Sequence, residues 1–146
     1  SGINDGAGAM VMTTAKIAEA RNLAPIGRVV GYGVAGVEPK YMGIGPVQAI
    51  RSALLHAGMT LGEMDLVEIN EAFSTQYLAC EKELGLDRSI TNVNSGGVAI
   101  GHPLGATGTR ITTHLLYELK RRGKKYGIGS ACIGGGQGIA IVVEAF

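Results

Sequence analysis

The chain has 146 residues, 46% of them apolar, with 13 Lys and Arg against 12 Asp and Glu. That length and apolar content suit one domain around one core. The near-zero net charge provides no field to gather nucleic acid or an anionic membrane surface. Trp is absent and aromatic residues are few, which leaves little for base stacking, and no apolar run reaches the roughly 18 residues of a membrane span. The two cysteines lie far apart without metal-ligand spacing, so zinc, other metals and a disulfide framework are all disfavoured and a reduced intracellular setting is expected. The opening residues SGINDGAGAM do not read as a signal peptide, and they begin inside a patterned segment without an initiator Met, as a piece of a longer parent would.

In chain order, residues 6–14 (GAGAMVMTT) read as a short buried strand and 15–22 as a helix, closed off by Pro25. Residues 27–37 (GRVVGYGVAGV) read as a second strand. The clearest helix spans 46–57, with Pro46 at its start, Gly58 past its end, and Val47, Ile50, Leu54 and Ala57 on one stripe. Residues 65–69 (DLVEI) form a strand, followed after Asn70 by a helix to Leu84. A long helix starts near Leu104 and ends near Arg122 with a cationic last turn and Gly123. Its small first-turn residues suggest that it is buried. Residues 126–132 and 138–146 form a hairpin around IGGGQ. Alternating strands and helices predict an α/β fold: a mixed, mainly parallel five-stranded sheet covered by helices.

The 24 glycines, about twice average usage, cluster at 31–36, 43–45, 96–108 and 123–138. Three reactive side chains sit where a strand meets a glycine-rich or helical segment, the place where open α/β sheets bind ligands. Cys132 opens CIGGGQG, whose following amides can turn toward an anion and whose thiol is poorly screened. His102 precedes Pro103 in GGVAIGHPLGATG, held extended and able to donate a hydrogen bond to a carbonyl. Asn70 opens NEAF, where a helix N-cap is the plain alternative. Asn92 and Asn94 read as turn residues, Cys80 as core, His56 and His114 as ordinary helical histidines, and KRRGKK at 120–125 as a solvated helix end. GIGSACIGGGQG is no dinucleotide fingerprint, because its glycines precede a strand.

NEAF, GHPLGATG and CIGGGQG, in this order and spacing, resemble the thiolases, the acetyl-CoA acetyltransferases and 3-ketoacyl-CoA thiolases, over the whole chain. The resemblance implies one half of a duplicated, layered architecture, with residues 1–146 as the C-terminal domain. It implies that Cys132 is the general acid/base and that His102 hydrogen-bonds the thioester oxygen and helps activate the nucleophile. Asn70 would hold a water completing that oxyanion hole, and the Gly134 amide would serve a second one. Ser1 would lie near the pantetheine arm and Phe73 would line the acyl pocket. The segment SGGVAIGHP replaces the commoner GGAIAxGHP with its length kept.

The family's nucleophilic cysteine has no counterpart here. The partner implied is therefore the N-terminal thiolase domain of the same parent, in a homodimer or homotetramer, in the cytoplasm or mitochondrion. Acyl-CoA and coenzyme A would be substrates, with no cofactor besides. The implied reaction is thiolysis of a 3-ketoacyl-CoA or the reverse Claisen condensation, and the isolated chain is expected to be inactive. A ketoacyl synthase would carry histidine at position 132. A non-catalytic lipid-carrier or scaffold would have no need of Asn70, His102 and Cys132 together, and a nucleotide-binding domain would use the glycine loops for phosphate.

Overall fold

A computed structural model describes residues 1–146. Strands β1 (Gly27–Gly36), β2 (Leu66–Ile69), β3 (Tyr126–Ile133) and β4 (Gln137–Ala145) form one sheet in the order β1-β4-β3-β2. Helices α1 (Ala15–Ala20), α2 (Gly45–Ala57), α3 (Ser74–Leu84), α4 (Gly97–Ile100) and α5 (Leu104–Arg122) accompany it, with 3-10 turns at Pro39–Ile44 and Leu61–Glu63.

The layered α/β class is as expected, but the sheet has four strands and not five, and it is not mainly parallel. Only β2 and β3 run parallel, while β1–β4 and β3–β4 are antiparallel. The missing strand is residues 6–14, which run along the first turns of α5, where Gly6 meets the Pro103 ring and Gly8 meets Thr109. Val11 is 95% exposed there. A β-rich composition makes a strand only where a sheet edge accepts its N–H and C=O groups, and this segment lies on the helix layer.

The two faces of the sheet are covered differently. One core cluster, with Val47, Ile50, Val67, Ile69 and Ile128, packs α2 and α3 on one face. A smaller one, with Leu66, Ile111, Leu115, Leu119 and Val143, packs α5 on the other. The predicted stripe of α2 is real: Val47, Ile50 and Leu54 are buried. That helix sits directly on β1 because Gly33 carries no side chain, and a Cβ there would lie 2.4 Å from the Ala53 backbone nitrogen.

Helix α3 starts later than expected, at Ser74. The Gln76 side-chain oxygen accepts the Ala72 and Phe73 N–H groups at 3.1 and 3.4 Å, which satisfies them without another helical turn. Asn70 is therefore no N-cap. Helix α5 is buried on its sheet side only. Leu104 is 68% exposed, and neither Gly105 nor Gly108 has any atom near its Cβ position, so the small-residue face expected to be covered is open.

The far end of α5 is pinned by charge. Glu118, buried, accepts from Arg121 Nη2 at 2.6 Å and from Arg122 Nε at 2.5 Å. The Arg121 hydrogen bond is the main cause that holds its carboxyl below the ordinary 4.5, with Arg122 adding and burial opposing. Stability from this depressed pKa is fully present above the unfolded-state value and is lost as pH falls through the folded-state value. Glu118→Gln should lower the thermal midpoint at pH 7 and flatten its decline below about pH 4.5, as calorimetry across an acid series would read; parallel acid limbs would refute this.

Candidate active site

Because β2 and β3 are parallel, their C-terminal ends share one edge of the sheet. Asn70 follows β2 immediately, and its N–H donates to the Ser130 carbonyl at 2.8 Å. Cys132 lies two residues further along β3, where it pairs with Gly138. Gly134 is exposed at the tip of the three-glycine turn to β4, in which Gly135 and Gly136 both take φ +90° and the Gly136 carbonyl accepts the Val37 N–H at 2.7 Å.

The segment bearing His102 reaches the same edge from α4. Gly101 turns at φ +91°, and the His102 N–H donates to Asn4 Oδ1 at 2.9 Å. The imidazole is then gripped at both nitrogens: Nε2 lies 3.3 Å from Asn70 Nδ2, and Nδ1 lies 2.7 Å from Thr107 Oγ1. Thr107 spends its hydroxyl proton on the Pro103 carbonyl at 3.0 Å, so it accepts from Nδ1–H. Nε2 is thereby left as the acceptor facing Asn70. Burial, then the Arg110 guanidinium, pulls the His102 pKa below 6.5, so the ring is neutral at pH 7 with its basic nitrogen inward.

Asn70 is 1% exposed and its Oδ1 has no partner within the chain, an acceptor poised at the edge of the sheet. Beside it opens a cleft of about 460 Å³, lined among others by Ser1, Asn4, Glu71, Val98 and His102.

Of the six residues singled out from the sequence, the structure joins Asn70 to His102 directly and puts Ser1 in their cleft. Cys132, Gly134 and Phe73 do not line it. By strand alternation Cys132 shares the face of Ile128 and Ser130, toward α2, and meets the edge from the next strand over. Its thiol is half-buried, and burial pushes its pKa up. Phe73 is 46% exposed at the start of α3. Cys80 is core as expected: buried, with its thiol donating to the Gly43 carbonyl at 3.3 Å and its pKa pushed by burial to about 11. His114 is less isolated than its sequence context implied, since its Nε2 lies 3.3 Å from the buried Glu68 carboxylate.

The model of the thiolase C-terminal domain matches residues 23–145. The chain belongs to the thiolase family. It is 58% identical over 145 residues to mitochondrial 3-ketoacyl-CoA thiolase of Pongo abelii, covering 99% of this chain and 36% of that protein. To acetyl-CoA acetyltransferase of Shinella zoogloeoides it is 51% identical over 145 residues, covering 99% of this chain and 37% of that protein. The crystal structure of human mitochondrial 3-ketoacyl-CoA thiolase superposes with a TM-score of 0.90 at 57% identity, over 91% of this chain and 34% of that one. A structure of the same human enzyme in complex with CoA gives a TM-score of 0.89 at 57% identity, over 90% of this chain and 34% of that one. The chain thus spans about a third of the length of these relatives.

Several polar residues of this thiolase domain escape a sequence reading. Thr107 fixes the His102 tautomer and Asn4 holds its backbone. Asn92, expected as a plain turn residue, binds the Ile69 N–H and C=O with one side-chain amide, each at 2.9 Å. Glu71 accepts from Asn92 Nδ2 at 2.9 Å and from the Val98 N–H at 3.1 Å. Gly96 makes room for that carboxylate: a Cβ on Gly96 would fall 2.3 Å from the Glu71 carboxyl carbon. No helix is long and apolar enough to cross a membrane.

Proposed function

We propose that this chain is the C-terminal catalytic half of an enzyme that cleaves 3-ketoacyl-CoA with coenzyme A, or runs the reverse Claisen condensation. The observation that carries the reading is the polarised Asn70–His102–Thr107 chain at the C-terminal edge of β2 and β3, one strand from Cys132. Removing a proton alpha to a thioester needs donors aimed at the oxygen where negative charge develops, together with a nearby base. A neutral His102 with Nε2 inward can take the proton of an attacking thiol and then donate it to the thioester oxygen. The unpartnered Asn70 Oδ1 suits a water that donates one hydrogen to it and the other to the same oxygen. Cys132, with its pKa raised, is a thiol at neutral pH and so suits the proton-donor half of an acid/base role. The Gly134 amide would serve the acyl-enzyme's oxyanion, Ser1 the pantetheine arm and Phe73 the acyl pocket.

The same reading gives residues 1–146 as a single C-terminal domain, whose partner is an N-terminal half that supplies the nucleophilic cysteine. The open small-residue face of α5 supports this, as do the exposed Val34 and Ile139, paired on the sheet face away from α2. We also propose a homo-oligomeric parent in the cytoplasm or mitochondrion, in keeping with relatives named as mitochondrial.

Assaying 3-ketoacyl-CoA and coenzyme A against the full-length parent and against residues 1–146 alone tests the reading. Acyl-CoA should form only with the parent. Turnover by residues 1–146, or none by the parent, would overturn it.

A further inference from the structure

We propose that Glu71 and Asn92 are positioning residues that together set the placement of the Asn70 amide against the His102 imidazole. The proposal rests on the thiolase reading of that pair. Asn92 uses its whole side-chain amide. Its Oδ1 accepts the Ile69 N–H, and its Nδ2 donates to both the Ile69 carbonyl and Glu71 Oε1, all at 2.9 Å. It does so from a left-handed backbone, φ +47°, which asparagine tolerates better than other side-chain-bearing residues. Residues 69 and 71 are therefore both held, and Asn70 lies between them.

The second Glu71 oxygen, Oε2, accepts the Val98 N–H at 3.1 Å in the first turn of α4. That short helix runs straight into Gly101 and His102. Gly96 lets the carboxylate come in, since a Cβ there would strike it. One network thus grips the chain on both sides of Asn70 and tethers the segment that delivers His102. Neither clamp residue bonds to the Asn70 amide or to the imidazole, so their effect passes through backbone position. A misplacement of about 1 Å at a reacting centre can cost ~10²-fold in rate.

The full-length parent tests this with Glu71→Ala, Glu71→Gln, Asn92→Asp and the double variant E71Q/N92D. Glu71→Ala should lower kcat by roughly 10- to 100-fold while KM for 3-ketoacyl-CoA moves less than about threefold, since geometry and not binding is lost. Asn92→Asp should do likewise, because it sets a carboxylate against the Ile69 carbonyl and Glu71. In the double variant the introduced amide can donate to the introduced carboxylate and still accept the Val98 N–H, so kcat should recover above that of Asn92→Asp. Restored turnover on reversing the donor and acceptor shows that the two side chains act through their shared hydrogen bond.

Independently of turnover, a crystal structure of full-length Glu71→Ala should show the Asn70 Nδ2 to His102 Nε2 separation opened from 3.3 Å beyond hydrogen-bonding reach. Single variants with wild-type kcat, a double variant no better than Asn92→Asp, or an unchanged separation would each overturn the clamp. An inactive wild-type parent would instead remove the thiolase reading, and the measured separation would still decide the clamp.

Discussion

Cys132→Ala in the full-length chain is expected to lower kcat by about 10²- to 10⁴-fold, the loss of one positioned acid/base, with little change in folded stability. Cys132 is half-buried at a strand end, and its place opposite Gly138 is set by the β3–β4 pairing around it whatever the side chain. Removing Sγ takes away the proposed proton carrier and leaves the architecture. The informative measurement separates two steps. Formation of an acyl-enzyme on the parent's own nucleophile should survive, because the proposed mechanism gives that step to His102, whereas exchange of the α-proton of acetyl-CoA for deuterium should stop. Continued exchange in Cys132→Ala would show that another group is the base. Cys132→Ser should rescue poorly, because a hydroxyl ionises far less readily than a thiol even when burial has raised the thiol.

His102→Ala is expected to cost about 10²- to 10³-fold in kcat, or ~2.7–4 kcal/mol, for the oxyanion donor alone, with a further loss from the unassisted nucleophile. Here acyl-enzyme formation itself should slow, and rapid quench would follow it. Thr107→Val gives a graded version. It keeps the shape but strips the acceptor from Nδ1–H, now bound at 2.7 Å. A buried N–H without a partner costs about 1–3 kcal/mol, and the ring relieves this by changing tautomer or turning, which takes Nε2 out of register with Asn70. A tenfold or smaller drop in kcat, with unchanged KM, is the expected result. If Thr107→Val leaves the pH profile and kcat untouched, the tautomer is not set by this bond.

Much of the chain could be read in advance because its signals are local. The stripe Val47, Ile50 and Leu54 repeats at helical spacing, and the end of α5 carries its cations and Gly123 in the expected order. Four of the five expected strands exist within a residue or two of where composition and period put them. The fifth, over 6–14, failed because strand formation depends on an edge elsewhere in the molecule. The start of α3 was misjudged because Gln76 caps Ala72 and Phe73 from inside the helix, and a side chain's partner cannot be told from its type.

The sequence alone determined which residues are candidates for the chemistry. Asn70, His102 and Cys132 each stand at the junction of a strand or loop with glycines, and such punctuation follows from backbone sterics that act over a few residues. Tertiary structure decided their company. It made β2 and β3 parallel so that Asn70 and Cys132 share an edge, and it chose Thr107 as the partner of His102. It also turned Asn92 from a bend residue into a clamp, with Glu71, around Asn70. Strand direction and buried polar pairing are settled by segments more than twenty residues apart that must satisfy the same N–H and C=O groups, and no short window of sequence contains that requirement.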